Sequence, residues 1–178
     1  IFGVIAVIAL IFGIKDYYEQ SKIKTVLSMT VVNSMANDTE TPEQKIKETL
    51  GYKDDPYSKV EIGVNLTTDS EMAEFDYNAQ MAYVAQIQAG SIDIMVMPEK
   101  LYQTLKKNEP FADLKELLGE EAFEKFGMQT DTTHISITES ELEQELGVIY
   151  DPVCIAVPYS APNQENAVKW IKSLDSRK

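Results

Sequence analysis

The chain carries one histidine, His134, and one cysteine, Cys154, so the reactive chemistry open to it is narrow. A thiol nucleophile needs a neighbouring base and a route to solvent. Cys154 instead sits in the apolar run Val153-Cys154-Ile155-Ala156-Val157, which predicts a buried, inert thiol, and no histidine lies near it in sequence. A single cysteine also excludes an intrachain disulfide. His134 has no serine or cysteine elbow beside it and no G-x-S-x-G, and is expected at a loop or strand edge. The motifs H-E-x-x-H, C-x-x-C and D-x-D-x-D-G are absent, as are both glycine-rich phosphate loops. On these grounds no catalytic residue, metal ligand or cofactor is assigned. A hydrolase is the least supported class, because no nucleophile–base pair can be named.

What remains is hydrogen bonding. Four short clusters are rich in hydroxyls, amides or carboxylates: Asn33 and Ser34; Thr67, Thr68 and Asp69; Pro98 and Glu99; Tyr159 and Ser160. Each follows a stretch that reads as a strand. In open α/β sheets ligands bind outside the carboxyl ends of the strands, so these nine residues are the expected ligand contacts for a polar small molecule. The same residue types also serve turns and helix caps.

The elements that must position them are legible in part. Residues 26–32 are mostly apolar and read as the first strand. Thr41-Pro42-Glu43-Gln44 reads as a helix start with Thr41 as cap, followed by Ile46 and Leu50 at i, i+4 and a stop at Gly51. Val60, Ile62, Val64 and Leu66 alternate with polar residues, as in a half-buried strand near a sheet edge. Met81, Val84, Ala85 and Ile87 gather on one side of a helix that Gly90 should end in a left-handed cap. Residues 92–97 form a nearly unbroken apolar run that Pro98 closes, suiting a strand covered on both faces. Leu101 and Leu105, then Leu114, Leu117, Leu118 and Ala122, form helical stripes. Thr138-Glu139-Ser140-Glu141 predicts a further capped helix ending at Gly147. Residues 152–157 read as the last strand. Asn163 should cap a final helix whose Ala167, Ile171 and Leu174 face the sheet, with Trp170 packed against it. Strand–helix alternation of this kind predicts an α/β fold: a mainly parallel sheet of four or five strands with helices on both faces.

Two stretches carry a resemblance. "QAGSIDIMVMPEKLYQTL…FADLKELL" resembles a first-lobe segment of extracellular solute-binding proteins of the type 2 periplasmic-binding fold, and "YDPVCIAVPYSAPNQENAVKWIKSL" resembles that family's returning strand. Together they cover a little under a third of the chain. The resemblance implies a non-enzymatic, extracellular binding lobe of bacterial type. Members of the family are two-lobed and about twice as long, with ligand held between lobes. A single lobe offers half a cleft, so a homodimer or an envelope protein partner would have to supply the other wall. The alternative is a cell-envelope interaction or assembly scaffold that keeps the lobe without the solute.

Charge and hydropathy set the location. A net charge of −13 over 178 residues excludes a nucleic-acid partner, which needs a basic surface, and disfavours docking on anionic lipid. Residues 1–14, IFGVIAVIALIFGI, are continuously apolar and span about 21 Å as a helix, against a hydrocarbon core of about 30 Å. A signal-peptide core would have this length, but no A-x-A-like site follows. A buried helix would show a polar face, and this one has none. A membrane anchor fits best, with Lys15 snorkelling and Tyr17 and Tyr18 at the interface. Without an initiator methionine, the natural chain is expected to begin upstream. The expected organisation is therefore a transmembrane helix over 1–18, a linker over 19–25 and an extracellular α/β domain over 26–178, in a single-pass membrane protein.

Overall fold

A computed structural model describes residues 17–108, 110–127, 131–137 and 145–175. Strands β1 (Lys24–Val31), β2 (Ser58–Gly63), β3 (Ile94–Pro98), β4 (Ile135–Ile137) and β5 (Val153–Ala156) form one open sheet in the order β2-β1-β3-β5-β4. The helices are α1 (Glu40–Thr49), α2 (Tyr77–Gln88), α3 (Glu99–Leu105), α4 (Leu114–Leu118), α5 (Glu120–Glu124) and α6 (Gln164–Asp175). The fold is α/β, as the alternation predicts.

The expectation of a mainly parallel sheet is corrected. β1 runs parallel to β2 and β3, but β5 is antiparallel to both β3 and β4. The sheet is mixed. Composition misled here for a physical reason. An apolar run such as 153–157 reports burial on both faces, which an internal antiparallel strand shares with a parallel one. β4, only three residues long at the sheet edge, carries too short a pattern to read.

The interior strands alternate between two cores. Ile94, Val96, Val153 and Ile155 face a core shared with Ile46 of α1, Leu114 and Leu118 of α4, Phe123 of α5, and Trp170 and Ile171 of α6. Met95, Met97, Cys154 and Ala156 face the other core, built with Ala79 and Tyr83 of α2 and Leu101, Tyr102 and Leu105 of α3. Helices thus cover both faces. From β1 the chain crosses by α1 outward to β2, then returns by α2 on the opposite face to β3. Right-handed crossovers in opposite directions demand this alternation of faces.

Local signals mostly hold, with shifts. β2 is an edge strand of alternating burial. α1 begins at Glu40, ahead of the expected Thr41 cap, because Asp38 takes the capping role. Its carboxylate accepts from the Glu40 N–H at 2.8 Å and from the Thr41 hydroxyl at 2.5 Å. α2 ends as predicted at Gly90 (φ +60°): the Gly90 N–H donates to Ile87 O and the Ser91 N–H to Gln86 O, a Schellman arrangement. Its buried face is not the expected one. Ala79 and Tyr83 point inward, while Met81 and Val84 are 59% and 36% exposed. The start of α2 is held by Asp76, which accepts from the Ala79 N–H at 2.9 Å and from the Thr67 hydroxyl. Asp76→Ala is expected to cost about 1 kcal/mol, read from the urea midpoint, as for other lost N-caps.

At the amino end, residues 17–20 are helical, and Tyr17 and Tyr18 are exposed. The expected anchor otherwise lies outside the described residues, as does most of the predicted helix over 138–146. Among the described residues no helix is long and apolar enough to cross a membrane.

Candidate functional site

Two edges of the sheet have to be distinguished, because β5 is reversed. The carboxyl ends of β1, β2 and β3 gather Asn33, Ser34, Thr67, Thr68, Asp69, Pro98 and Glu99 on one side. Tyr159 and Ser160 follow β5, whose Val153 pairs with Pro98 and whose Ala156 pairs with Met95. They therefore emerge at the opposite edge, near the start of β3. Of the nine predicted contacts, the fold brings seven to one edge and sends two to the other.

The polar side chains at the carboxyl edge are engaged within the protein, Asn33 with Thr68 and the others with neighbouring loops and helices. Asn33, in a left-handed conformation (φ 52°), accepts from the Thr68 N–H at 2.9 Å and donates from Nδ2 to the Thr68 hydroxyl at 2.7 Å. This clasp ties the loop after β1 to the loop after β2. Ser34 donates to Leu146 O at 2.6 Å. Thr67 is spent on the Asp76 cap, and Asp69 accepts from the Ala73 and Glu74 N–H groups to fold its own turn. Beside the clasp lies a cleft of about 390 Å³ lined by Met35, Asp38, Lys45, Glu145 and Gly147, among others. Lys45 bridges it by pairing with Glu145 at 2.6 Å.

Glu99 begins a second, unforeseen constellation. β4 pairs Ser136 with Cys154 and sets His134 one step before the ladder, on the α3 face. His134 is 1% exposed, its Nδ1 lies 2.8 Å from Asp131, and its Nε2 lies 3.5 Å from Glu99. The Tyr102 ring packs over the imidazole at 4.3 Å between centroids. Tyr102 Oη reaches both Asp131 carboxylate oxygens at 2.9 Å, and Lys106 adds a donor at 3.0 Å. Glu99 accepts from Gln103 Nε2 at 2.6 Å and from the Ser136 hydroxyl at 3.2 Å. Sequence could not join His134 to Cys154, because the β4–β5 register alone makes them neighbours.

Burial first, then the Glu99 carboxylate, push the Cys154 thiol far above its usual range. The thiol is also fully buried, so no substrate carbonyl can approach it. Burial likewise pushes the Tyr102 phenol up, and the Asp131 carboxylate adds to that. At Asp131 burial favours the neutral form, but the hydrogen bonds from His134, Lys106, the Thr133 N–H and Tyr102 outweigh it. They hold the carboxyl well below the ordinary range. A depressed carboxyl contributes stability above its unfolded pKa of about 3.9 and loses it as pH falls through the folded value. Stability should therefore drop as pH falls below about 4, and Asp131→Asn should flatten that limb, measured by urea midpoints from pH 7 to pH 2.5. Asp76 and Asp113, lowered first by their cap hydrogen bonds, leave a residual slope of the same sign.

The fold and this edge define an open, mixed-sheet α/β domain with a polar cleft beside its first strand. No protein-family model, no curated protein and no solved structure matches the chain.

Proposed function

We propose that the chain is a membrane-anchored, extracellular, non-enzymatic binding domain resembling one lobe of a solute-binding protein, and that a polar small molecule docks at the carboxyl edge of β1. The observation that carries this reading is the topological switch point. β1 and β3 are parallel neighbours, and the chain leaves them toward opposite faces of the sheet, which opens a crevice at their carboxyl ends. The cleft of Met35, Asp38, Lys45, Glu145 and Gly147 lies at that edge. Its volume falls within the range of small-molecule sites. The apolar, unfaced segment 1–14 followed by exposed Tyr17 and Tyr18 supports the anchor.

The test is a thermal-shift screen of the whole chain in mild detergent against sugars, amino acids, peptides and polyamines. A ligand at about 100 times its Kd adds about 2.7 kcal/mol of stability, or about 5–10 °C in Tm for a domain of this size. Lys45→Ala should abolish the shift, because Lys45 spans the cleft.

A second reading, an envelope interaction scaffold, is favoured by one observation. Tyr77, Met81 and Val84 stand at i, i+4 and i+7 on α2 and are all exposed, which leaves an apolar stripe away from the cleft. No ligand shift, together with self-association that Met81→Glu abolishes in sedimentation velocity, would favour that reading.

A further inference from the structure

The geometry points to a three-ligand site for a zinc-class divalent cation made by Glu99, His134 and Cys154. Their donor atoms all lie within 4.8 Å of one another. They come from three elements: the first residue of α3, the residue before β4, and the middle of β5. Carboxylate oxygen, imidazole nitrogen and thiolate sulfur are the zinc donor set.

Three features argue for a cation rather than a chance cluster. The first is orientation. His134 Nδ1 lies 2.8 Å from Asp131 and Nε2 lies 3.5 Å from Glu99, so in the tautomer that donates Nδ1–H to Asp131 the ring would present Nε2 to an ion held with Glu99 and Cys154. A carboxylate behind the distal nitrogen is the usual device that fixes a metal-binding imidazole. Asp131 is itself held by Lys106, Tyr102 and the Thr133 N–H. The second is spacing. Two ligands at about 2.0–2.1 Å from a tetrahedral ion stand about 3.4 Å apart. His134 Nε2 and Glu99 Oε2 are 3.5 Å apart. Sulfur needs about 3.6 Å to each, so a movement of about an ångström at most closes the set.

The third feature is charge. Among the described residues no lysine or arginine pairs with Glu99, and its one basic neighbour is His134. The Cys154 thiol is within hydrogen-bonding reach of the Glu99 carboxylate, and the His134 ring nitrogen stands beside the pair. A proton can bridge two of them, whereas a divalent ion satisfies all three. Binding would release the Cys154 proton to solvent and leave thiolate, carboxylate and neutral imidazole around the ion, a neutral assembly. Gln103 and Ser136 already hold both Glu99 oxygens in place. Glu99 is the one ligand with solvent access, so the ion enters past it, and a water completes the fourth position.

The test uses the whole chain, stripped with chelator and reduced. Zn²⁺ affinity is measured by competition with a chromogenic chelator, and Co²⁺ is added as a spectroscopic probe. Stoichiometric binding is expected, with a thiolate-to-cobalt charge-transfer band in the near ultraviolet. Cys154→Ser should remove that band and weaken Zn²⁺ at least tenfold. Asp131→Asn, which touches no ion, should weaken it about 10–100-fold. Glu99→Gln, at a partly exposed position, keeps the test open if the buried variants fail to fold, and should also weaken binding at least tenfold. Absence of stoichiometric binding, a cobalt spectrum without the sulfur band, or affinity unchanged in Glu99→Gln would each overturn the assignment.

Discussion

Asp93→Ala is expected to lower the stability of the domain by about 3–5 kcal/mol, because it strands three partly buried donors at about 1–3 kcal/mol each. Asp93 is fully buried just before β3. One carboxyl oxygen accepts from the Ser28 N–H in β1 at 2.7 Å, and also from Asn163 Nδ2 at 3.0 Å. The other accepts from the Asn163 N–H at 2.7 Å. One side chain therefore staples β1, β3 and the entry to α6. Asn163, expected as a helix cap, spends its amide on this staple and on Thr25 O. Asp93→Asn keeps the volume but sets an NH₂ group against donors, so it should recover only part of the loss. Urea denaturation measures both. A loss under about 1 kcal/mol for the alanine variant would mean that water replaces the carboxyl without penalty.

Gly147→Ala carries the second large effect, about 2–4 kcal/mol, from left-handed strain of about 1–2 kcal/mol and an overpacking cost on top of it. Gly147 has φ +64°, and a Cβ there would meet Ala36 N at 2.2 Å and Met35 C at 2.7 Å. Those neighbours are backbone and cannot swing away. The segment is pinned to the loop after β1, since Met35 N donates to Gly147 O at 2.7 Å and Ser34 to Leu146 O. Gly90→Ala is the control. Its φ is +60° with nothing within 4 Å of the added carbon, so it should cost only the strain of about 1–2 kcal/mol. Equal costs at the two glycines would show that the loop after β1 yields freely, and with it the cleft wall.

Sequence shows what is local and periodic. The α2 stop at Gly90, the buried run closed by Pro98 and the sheet-facing stripe of α6 all rest on nearest neighbours along the chain. It does not show what register and direction decide. The reversal of β5 carries no mark in residues 153–157, and it moves Tyr159 and Ser160 to the far edge of the sheet. The meeting of His134 with Cys154 depends on a three-residue strand pairing. On α2 the aliphatic cluster of Met81 and Val84 points to solvent, and Ala79 and Tyr83 turn inward, because the Tyr83 ring fills the core beside Phe75. At the start of α1 the Asp38 carboxylate, not Thr41, takes the capping hydrogen bonds, and at α2 Asp76 supplies a cap that the helical stripe alone does not mark. The loops after the strands are legible in the sequence, but not that Asn33 and Thr68 bond to each other or that the Asp69 carboxylate folds its own turn.

The central claim is that the carboxyl edge of β1 is the binding face. The most direct measurement is amide chemical-shift mapping of isotope-labelled protein with the compound that most raises Tm in the ligand screen. The account predicts that perturbed amides cluster at residues 33–38, at Lys45 and at 145–147, and vanish in Lys45→Ala. Perturbations centred on Tyr159 to Asn163 or along α2 would contradict it, and so would a screen in which no ligand class stabilises a well-folded sample.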